Sequence, residues 1–379
     1  MVMLNGDPGV QRSDRCTKTV SEGVNPERVR PPREMTRPTD PAEETSVPAE
    51  PIPELLPQAA SWLRRRSWSA ADRPVRTLLA AKERTGRTVS VVLPALDEEA
   101  TVGDIVRTIR RELMERLPLV DELVVVDSGS TDATAAVAAE AGARVEHRDA
   151  VLPRLPAVPG KGEVLWRSLL VTRGDIVCFV DADLREFDPS LVSGILGPLL
   201  TDESIQLVKA MYDRPLESEG AVLPAGGGRV TELVARPLLN LHWPELAGFV
   251  QPLGGEYAAR RSLLERLPFP TGYGVELGLL VDALELAGLD ALAQVDVGVR
   301  HHRHQDGQAL GRMAATIYRT ALERLDRTHR LKASADLVHP QLTQFTRDPE
   351  TRAFTAHTHP VTALERPPMH TVPEYATRH

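Results

Sequence analysis

Three short apolar runs, each cut off by polar residues, set the architecture open to this chain. They lie in "TVSVVLPAL" (Thr88 to Leu96), at Leu123 to Val126, and at Ile176 to Val180. Each is rich in β-branched residues and nearly continuous in apolar character, the pattern of a strand buried on both faces of a parallel sheet. Helical periodicity follows the first run, with Val102, Ile105, Val106, Ile109 and Leu113 on one face. The second run passes through a polar loop, Asp127 to Asp132, into an Ala-rich helix that Thr131 or Asp132 would cap. Val145 opens a third short strand. A loop holding Pro153, Pro156 and Pro159 then leads to "GKGEVLWRSLL", a helix with a Gly-Lys-Gly entrance, and to the strand ending at Asp181. This alternation predicts an α/β fold with a mostly parallel sheet and right-handed crossovers. Ligands in such sheets bind beyond the C-terminal strand ends. Pro94, Asp127 and Asp181 all stand there, so their loops are expected to converge on one crevice.

The second half is less regular. "IQLVKAMYD" reads as a strand, and "GGGRVTELVARPLLNLHW" as a glycine loop entering a helix that Pro237 would bend. "LAGFVQPLGGEYAARRSLLERLPF" reads as a glycine-rich crossing and a helix. "TGYGVELGLLVDALELAGL" is a helix with Val275, Leu279, Leu280 and Leu286 as core positions. "LAQVDVGVRHHRHQ" is a strand ending in a cluster of histidine and arginine, and no internal repeat is visible.

Composition sets the limits of the folded part. Of 379 residues, 42% are hydrophobic, but Pro, Glu, Thr and Arg dominate residues 1–57. Such a segment buries too little apolar surface to offset chain entropy and reads as a disordered arm. Residues 341–379 read as a similar disordered tail, which leaves a folded part from about residue 60 to 340. The net charge of −8 and the lack of a long basic block argue against nucleic acid. Arg64 to Arg66 read as a solvated helix face. No apolar run is long enough for a membrane span, and the N-terminus lacks an apolar signal core, so a cytoplasmic setting is expected. Cys16 in the arm and Cys178 in a core strand are not expected to pair.

Asp181 and Asp183 flank only Ala182 at the end of a fully apolar strand. Taken alone, two such aspartates are turn residues or a helix cap. At a strand tip where polar loops converge, they suit a Mg²⁺ or Mn²⁺ ion bridging a diphosphate, because carboxylate oxygens are hard ligands. Such an ion offsets charge on a departing nucleotide diphosphate.

"VVLPALDEEATVGDIV", "VVVDSGSTDAT" and "FVDADL" resemble the nucleotide-sugar half of a GT-A glycosyltransferase. With "PGKGEVLWRSL", "GGGRVTEL", "FVQPLGGEYAARRSLL" and "TGYGVELGLLVD", residues 60–325 resemble the glucosyl-3-phosphoglycerate synthases, retaining enzymes of glycosyltransferase family 81. The resemblance implies a nucleotide-sugar-binding half over 58–215 and an acceptor-binding and dimerisation half over 216–340. Pro94, Ala95 and Leu96 would line the uracil and ribose, and Glu98 would hydrogen-bond the ribose. Ser128 would meet the nucleotide, with Asp127 holding its loop. Lys161 would contact the donor between Gly160 and Gly162, whose lack of a side chain lets backbone approach closely.

Asp181 would contact the nucleotide, and Asp183 would be the main protein ligand of the metal. The family's Arg-x-His-Arg pattern places a second ligand at His302. His304 stands where the family implies an acceptor-binding Asn; either it makes that contact or the ligand assignment is shifted. Gly228, Arg229 and Thr231 would form an anion site at a helix start, completed by Arg300 and Arg303 around the carboxylate and phosphate of 3-phosphoglycerate. Glu276 would face the sugar, beside a wall of Leu253, Gly254 and Gly255. The implied reaction moves glucose from UDP-glucose to the 2-hydroxyl of 3-phosphoglycerate with retention, in a homodimer. The alternatives are GDP-mannose as donor, transfer to a polyprenyl phosphate, and a non-catalytic sugar-nucleotide-binding regulator.

Overall fold

The structure, a computed structural model, describes residues 56–213, 216–218, 221–223, 228–300, 306–328, 341–347 and 354–377. All belong to the second of the chain's two units, Pro53–His379. The expected disordered arm lies outside the described residues up to residue 55.

In chain order the first half holds α1 (Pro57–Arg66), β1 (Ser67–Ser69), α2 (Val75–Thr85), β2 (Val89–Ala95), α3 (Val102–Ile109), β3 (Glu122–Asp127), α4 (Thr134–Glu140), β4 (Arg144–His147), α5 (Lys161–Val171), β5 (Ile176–Phe179), α6 (Ser190–Thr201) and β6 (Leu207–Asp213). A small hairpin of β7 (Leu216–Ser218) and β8 (Ala221–Leu223) follows. The second half adds α7 (Arg236–His242), β9 (Tyr257–Arg260), α8 (Arg261–Leu264), β10 (Phe269–Pro270), α9 (Val275–Ala287), β11 (Leu292–Val299) and α10 (Gly307–Arg327). The tail carries β12 (Gln341–Arg347), β13 (Phe354–Pro360), β14 (Glu365–Arg366) and α11 (Pro373–Ala376).

Eight strands form one sheet in the order β1-β11-β6-β9-β5-β2-β3-β4. Every neighbouring pair is parallel except those of β9, which runs antiparallel to both β5 and β6. The sequence pattern predicts a glycine-rich crossing followed directly by a helix here, and no strand. The four residues of β9, Tyr-Ala-Ala-Arg, show no alternation, and only their position between two apolar strands makes them β.

The apolar runs do divide between two faces. Val92, Val124, Val126, Val177 and Phe179 join a core with Trp62, Trp166 and Trp243. Their neighbours Val91, Leu93, Val125, Ile176 and Cys178 join the opposite core with Ile105, Val106 and Ile195. This is the period-two geometry of a strand covered by helices on both sides. The predicted face of α3 is buried as read, and the turn after it carries Leu113 into the same core. On α9, Val275, Leu279 and Leu280 are buried, but Leu286 is 39% exposed and is not a core residue. It falls at the end of the helix, beyond the cover of the sheet. Burial pushes the Cys178 thiol up to about 12, and Cys16 lies outside the described residues.

The tail is the main correction. Where described, it is ordered and packed. Met369 and Tyr375 are buried in the core of α5 and α9. Trp166 Nε1 donates to the Pro367 carbonyl at 2.9 Å, and Arg261 donates to the Tyr375 hydroxyl at 3.1 Å. Its apolar residues follow no period, and its partners lie more than 100 residues away in the chain, so neither signal is local.

Candidate active site

The C-terminal strand ends open into a cavity of about 780 Å³. Pro94, Ala95 and Leu96, from the end of β2, form part of its wall with Glu98 and Ser128. Side chains lace the two loops that carry them. Asp97, at φ 55°, accepts from the Thr131 N–H at 2.8 Å, while its own N–H donates to Ser130 Oγ at 3.0 Å. The Glu98 N–H donates to Thr134 Oγ1 at 2.7 Å, and Asp132 accepts from the Thr134 N–H at 3.0 Å. Neither expected cap takes the N-cap position of α4, which is Ala133; Asp132 accepts from the first helical N–H from one residue further out, and Thr131 joins the loops. Asp127 accepts from the N–H groups of Gly129 and Ser130 at 3.1 and 3.2 Å. Burial pushes its pKa up, but hydrogen bonds from Ser130, Gly129 and His147 outweigh that and hold the carboxyl below its usual range.

Asp181 and Asp183 line the same cavity just past β5. Lys161 is the first residue of α5, and its Nζ lies 2.5 Å from Asp181 Oδ1 and 3.2 Å from Glu276 Oε1. Burial works against its charge, yet Asp181 and Glu276 outweigh burial and raise its pKa well above the ordinary value. The cation is therefore fixed at the cavity wall. Glycines make the fit possible. A Cβ at Gly255 would meet Lys161 Nζ at 2.2 Å and Asp181 Oδ2 at 2.3 Å. A Cβ at Gly162 would lie 1.8 Å from the Pro270 carbonyl oxygen, so only glycine lets α5 approach β10.

Asp183 Oδ1 is buried and accepts no hydrogen bond within the described residues. A hard oxygen held without a donor suits a divalent cation. Among the described residues no group of three or more His, Cys, Asp or Glu side chains could hold a metal. The expected partner ligand, His302, lies outside them, as do Arg303 and His304.

Gly228, Arg229 and Thr231 line the cavity at the start of the helical segment before α7, and Leu253 and Glu276 line it too. Arg300 does not line it. That side chain is buried behind the aspartates, where it pairs with Glu256, with Nη2 3.7 Å from Asp181 and 3.6 Å from Asp183.

Several residues here escaped the sequence reading. Glu256 is fully buried and accepts from the Tyr212 hydroxyl at 3.1 Å. Lys209 is buried beneath the wall and donates to the Gly254 carbonyl at 2.8 Å. Burial, only partly offset by Glu276, pulls its pKa down to about 8. A lone charge inside an apolar run, as in "LVKAMYD", is the one signal that pointed to Lys209. The tail contributes Pro360 and Thr362 to the cavity wall, beside Thr316 and Ile317 of α10.

The chain is similar to known proteins in sequence and in fold. Residues 90–220 match the family model described as Glycosyl transferase family 2. The chain is 51% identical over 316 residues to the glucosyl-3-phosphoglycerate synthase of Mycolicibacterium paratuberculosis, covering 82% of this chain and 92% of that one. A crystal structure of glucosyl-3-phosphoglycerate synthase from Mycobacterium tuberculosis, in complex with Mn²⁺, UDP-glucose and phosphoglyceric acid, gives a TM-score of 0.67 at 49% identity. That match covers 78% of this chain and 94% of the other. The mannosyl-3-phosphoglycerate synthase of Rubrobacter xylanophilus gives a TM-score of 0.76 at 43% identity, covering 83% of this chain and 98% of the other. The mostly parallel eight-stranded sheet is that of a GT-A glycosyltransferase. With about half its residues identical over nearly the full length of such relatives, the chain belongs to the glucosyl-3-phosphoglycerate synthase family of glycosyltransferases.

Proposed function

We propose that this chain transfers glucose from UDP-glucose to the 2-hydroxyl of 3-phosphoglycerate, retaining the α configuration. One observation carries the reading: Lys161, Asp181 and Asp183 from the first half share a cavity with Gly228, Arg229 and Thr231 from the second. A donor diphosphate and an anionic acceptor thus have facing sites. The Mycobacterium tuberculosis relative holds UDP-glucose, phosphoglyceric acid and Mn²⁺ together.

In this reading the loops after β2 and β3 bind the nucleotide through Pro94, Ala95, Leu96, Glu98 and Ser128. Asp183, with His302, would hold Mg²⁺ or Mn²⁺, which when bound neutralises charge on the departing UDP. Lys161 adds a fixed cation on the same side, already oriented by Asp181 and Glu276, so little reorganisation is needed. Arg229 and Thr231 orient the phosphate of the acceptor, with the helix start behind them. Glu276, committed to Lys161 at 3.2 Å, is a poor candidate for a carboxylate nucleophile. That favours attack by the acceptor hydroxyl from the face the UDP leaves.

Mannose transfer from GDP-mannose is the second reading, favoured by the likeness to the Rubrobacter xylanophilus enzyme. Among the described residues no helix is long and apolar enough to cross a membrane, which gives a polyprenyl acceptor no support. A homodimer fits the exposed apolar strip of Leu233, Pro237 and Leu241 on one helical face; Leu233 is 75% exposed and Leu241 76%.

The deciding experiment measures nucleotide diphosphate release from UDP-glucose and from GDP-mannose, each with and without 3-phosphoglycerate. Release that needs both UDP-glucose and 3-phosphoglycerate is expected. Faster release from GDP-mannose would give the second reading, and release indifferent to 3-phosphoglycerate would overturn both.

A further inference from the structure

We propose that Glu256 is a positioning residue: it holds the Arg300 guanidinium off Asp183 and so keeps that carboxylate available to a divalent cation. The inference rests on the metal-binding reading of Asp183.

The geometry is specific. Glu256 is 0% exposed and stands between Gly255, which packs against Lys161 and Asp181, and the first residue of β9. Its backbone carbonyl accepts from the Ala210 N–H at 3.0 Å, which anchors it in the middle of the sheet. Its carboxylate pairs with Arg300 Nη1 through Oε1, and through Oε2 it accepts from the Tyr212 hydroxyl at 3.1 Å. The Arg300 backbone is fixed as well, its N–H donating to the Asp213 carbonyl at 3.0 Å. The guanidinium lies over the Tyr212 ring, 5.3 Å from the centroid.

One cation therefore faces three carboxylates, in direct contact with Glu256 and in longer ion pairs with the two aspartates. Arg300 Nη2 stops 3.6 Å from Asp183 Oδ1 and 3.7 Å from Asp181 Oδ2. A charge-assisted contact closes to about 2.7–2.9 Å when nothing restrains it. Asp183 Oδ1 and Arg300 Nη2 are both buried without a hydrogen bond among the described residues. The Asp183 side chain is 35% exposed, and the Arg300 guanidinium is held by Glu256 and, at 3.5 Å, by the Tyr212 hydroxyl, so these two groups set how near it comes to the aspartate. Without its charge, the guanidinium would close on Asp183 and compete with a metal for the same oxygen. A purely structural Glu256 would only neutralise a buried arginine; its loss would lower stability and leave cation affinity alone.

The test uses the full chain with UDP present and reads free Mn²⁺ by electron paramagnetic resonance, so that turnover does not enter. Glu256→Gln keeps the shape and removes the charge. It is expected to weaken Mn²⁺ binding about tenfold or more relative to wild type. Adding Arg300→Met removes the competitor, so the double variant is expected to regain wild-type affinity. Should Glu256→Gln not fold, Tyr212→Phe removes one hydrogen bond from the same carboxylate and the 3.5 Å contact of Arg300 with that hydroxyl, and is expected to shift affinity in the same direction, by less. Equal Mn²⁺ affinity in wild type and a folded variant, or no recovery in the double variant, would overturn the proposal while leaving the metal reading standing. A wild-type chain that takes up no Mn²⁺ in the presence of UDP would overturn both.

Discussion

Lys161 shows how much of the site depends on single residues. Its ammonium is pinned by Asp181 and Glu276 at the cavity wall. Lys161→Met removes a charge already fixed at the cavity wall, where the proposed function puts the leaving UDP, and we expect kcat to fall by about 10²–10³-fold. Steady-state kinetics would check this; a change confined to KM would mean that Lys161 binds the donor without stabilising the departing UDP.

Lys209, one layer below, gives a prediction in pH. Its pKa in the fold, about 8, lies below the ordinary 10.5, because burial disfavours the charged form. The penalty is therefore present in full below about pH 8. It fades as the pH rises from about 8 to about 10.5, where the folded chain has lost a proton that the unfolded chain keeps. Stability of the wild type should gain across that window relative to Lys209→Met. Urea unfolding of both proteins at several pH values would show it, and parallel curves would contradict it.

At the scale of elements, the tail and α5 form one unit. Glu163, two residues after Lys161, is fully buried between Arg167 at 2.7 Å and Arg366 of β14 at 2.6 Å. Arg366→Ala removes two of the hydrogen bonds to this buried carboxylate and leaves it to Arg167 alone. It should therefore cost about 1.5–3 kcal/mol of stability and lower kcat through the loosened start of α5. A variant with wild-type urea stability would show that the tail is not part of the fold's support.

This contact also marks the limit of what the chain reveals before folding. The strands β2, β3 and β5 and the helix α3 were legible because their apolar patterns are local and periodic. Asp181 and Asp183 were legible because they sit where such a strand ends, whereas the role of Lys161 came only from the family resemblance. β9 was not, since four residues with two alanines carry no pattern and take their form from β5 and β6. The tail was not, since Met369, Val372 and Tyr375 find their partners only across the folded molecule. Arg300 was legible as a charge, but its neighbour Glu256, which decides where that charge points, is a lone acid in a glycine turn.

Residues from both parts of the chain line one cavity, which the proposed function divides between donor and acceptor. The outer face of the molecule carries the Leu233–Pro237–Leu241 strip, an apolar surface of the kind that a second copy would cover. On the homodimer reading proposed above, Leu241→Glu should shift the sedimentation coefficient from dimer to monomer without unfolding the chain. An unchanged coefficient would place self-association elsewhere.

The account stands on what the cavity does with both ligands at once. Nuclear magnetic resonance of a reaction holding UDP-glucose, 3-phosphoglycerate and Mg²⁺ reads the product directly. An α-anomeric glucosyl signal coupled to carbon 2 of the acceptor is predicted, absent when Asp183→Ala replaces the wild type. Free glucose alone, or a β-linked product, would contradict it.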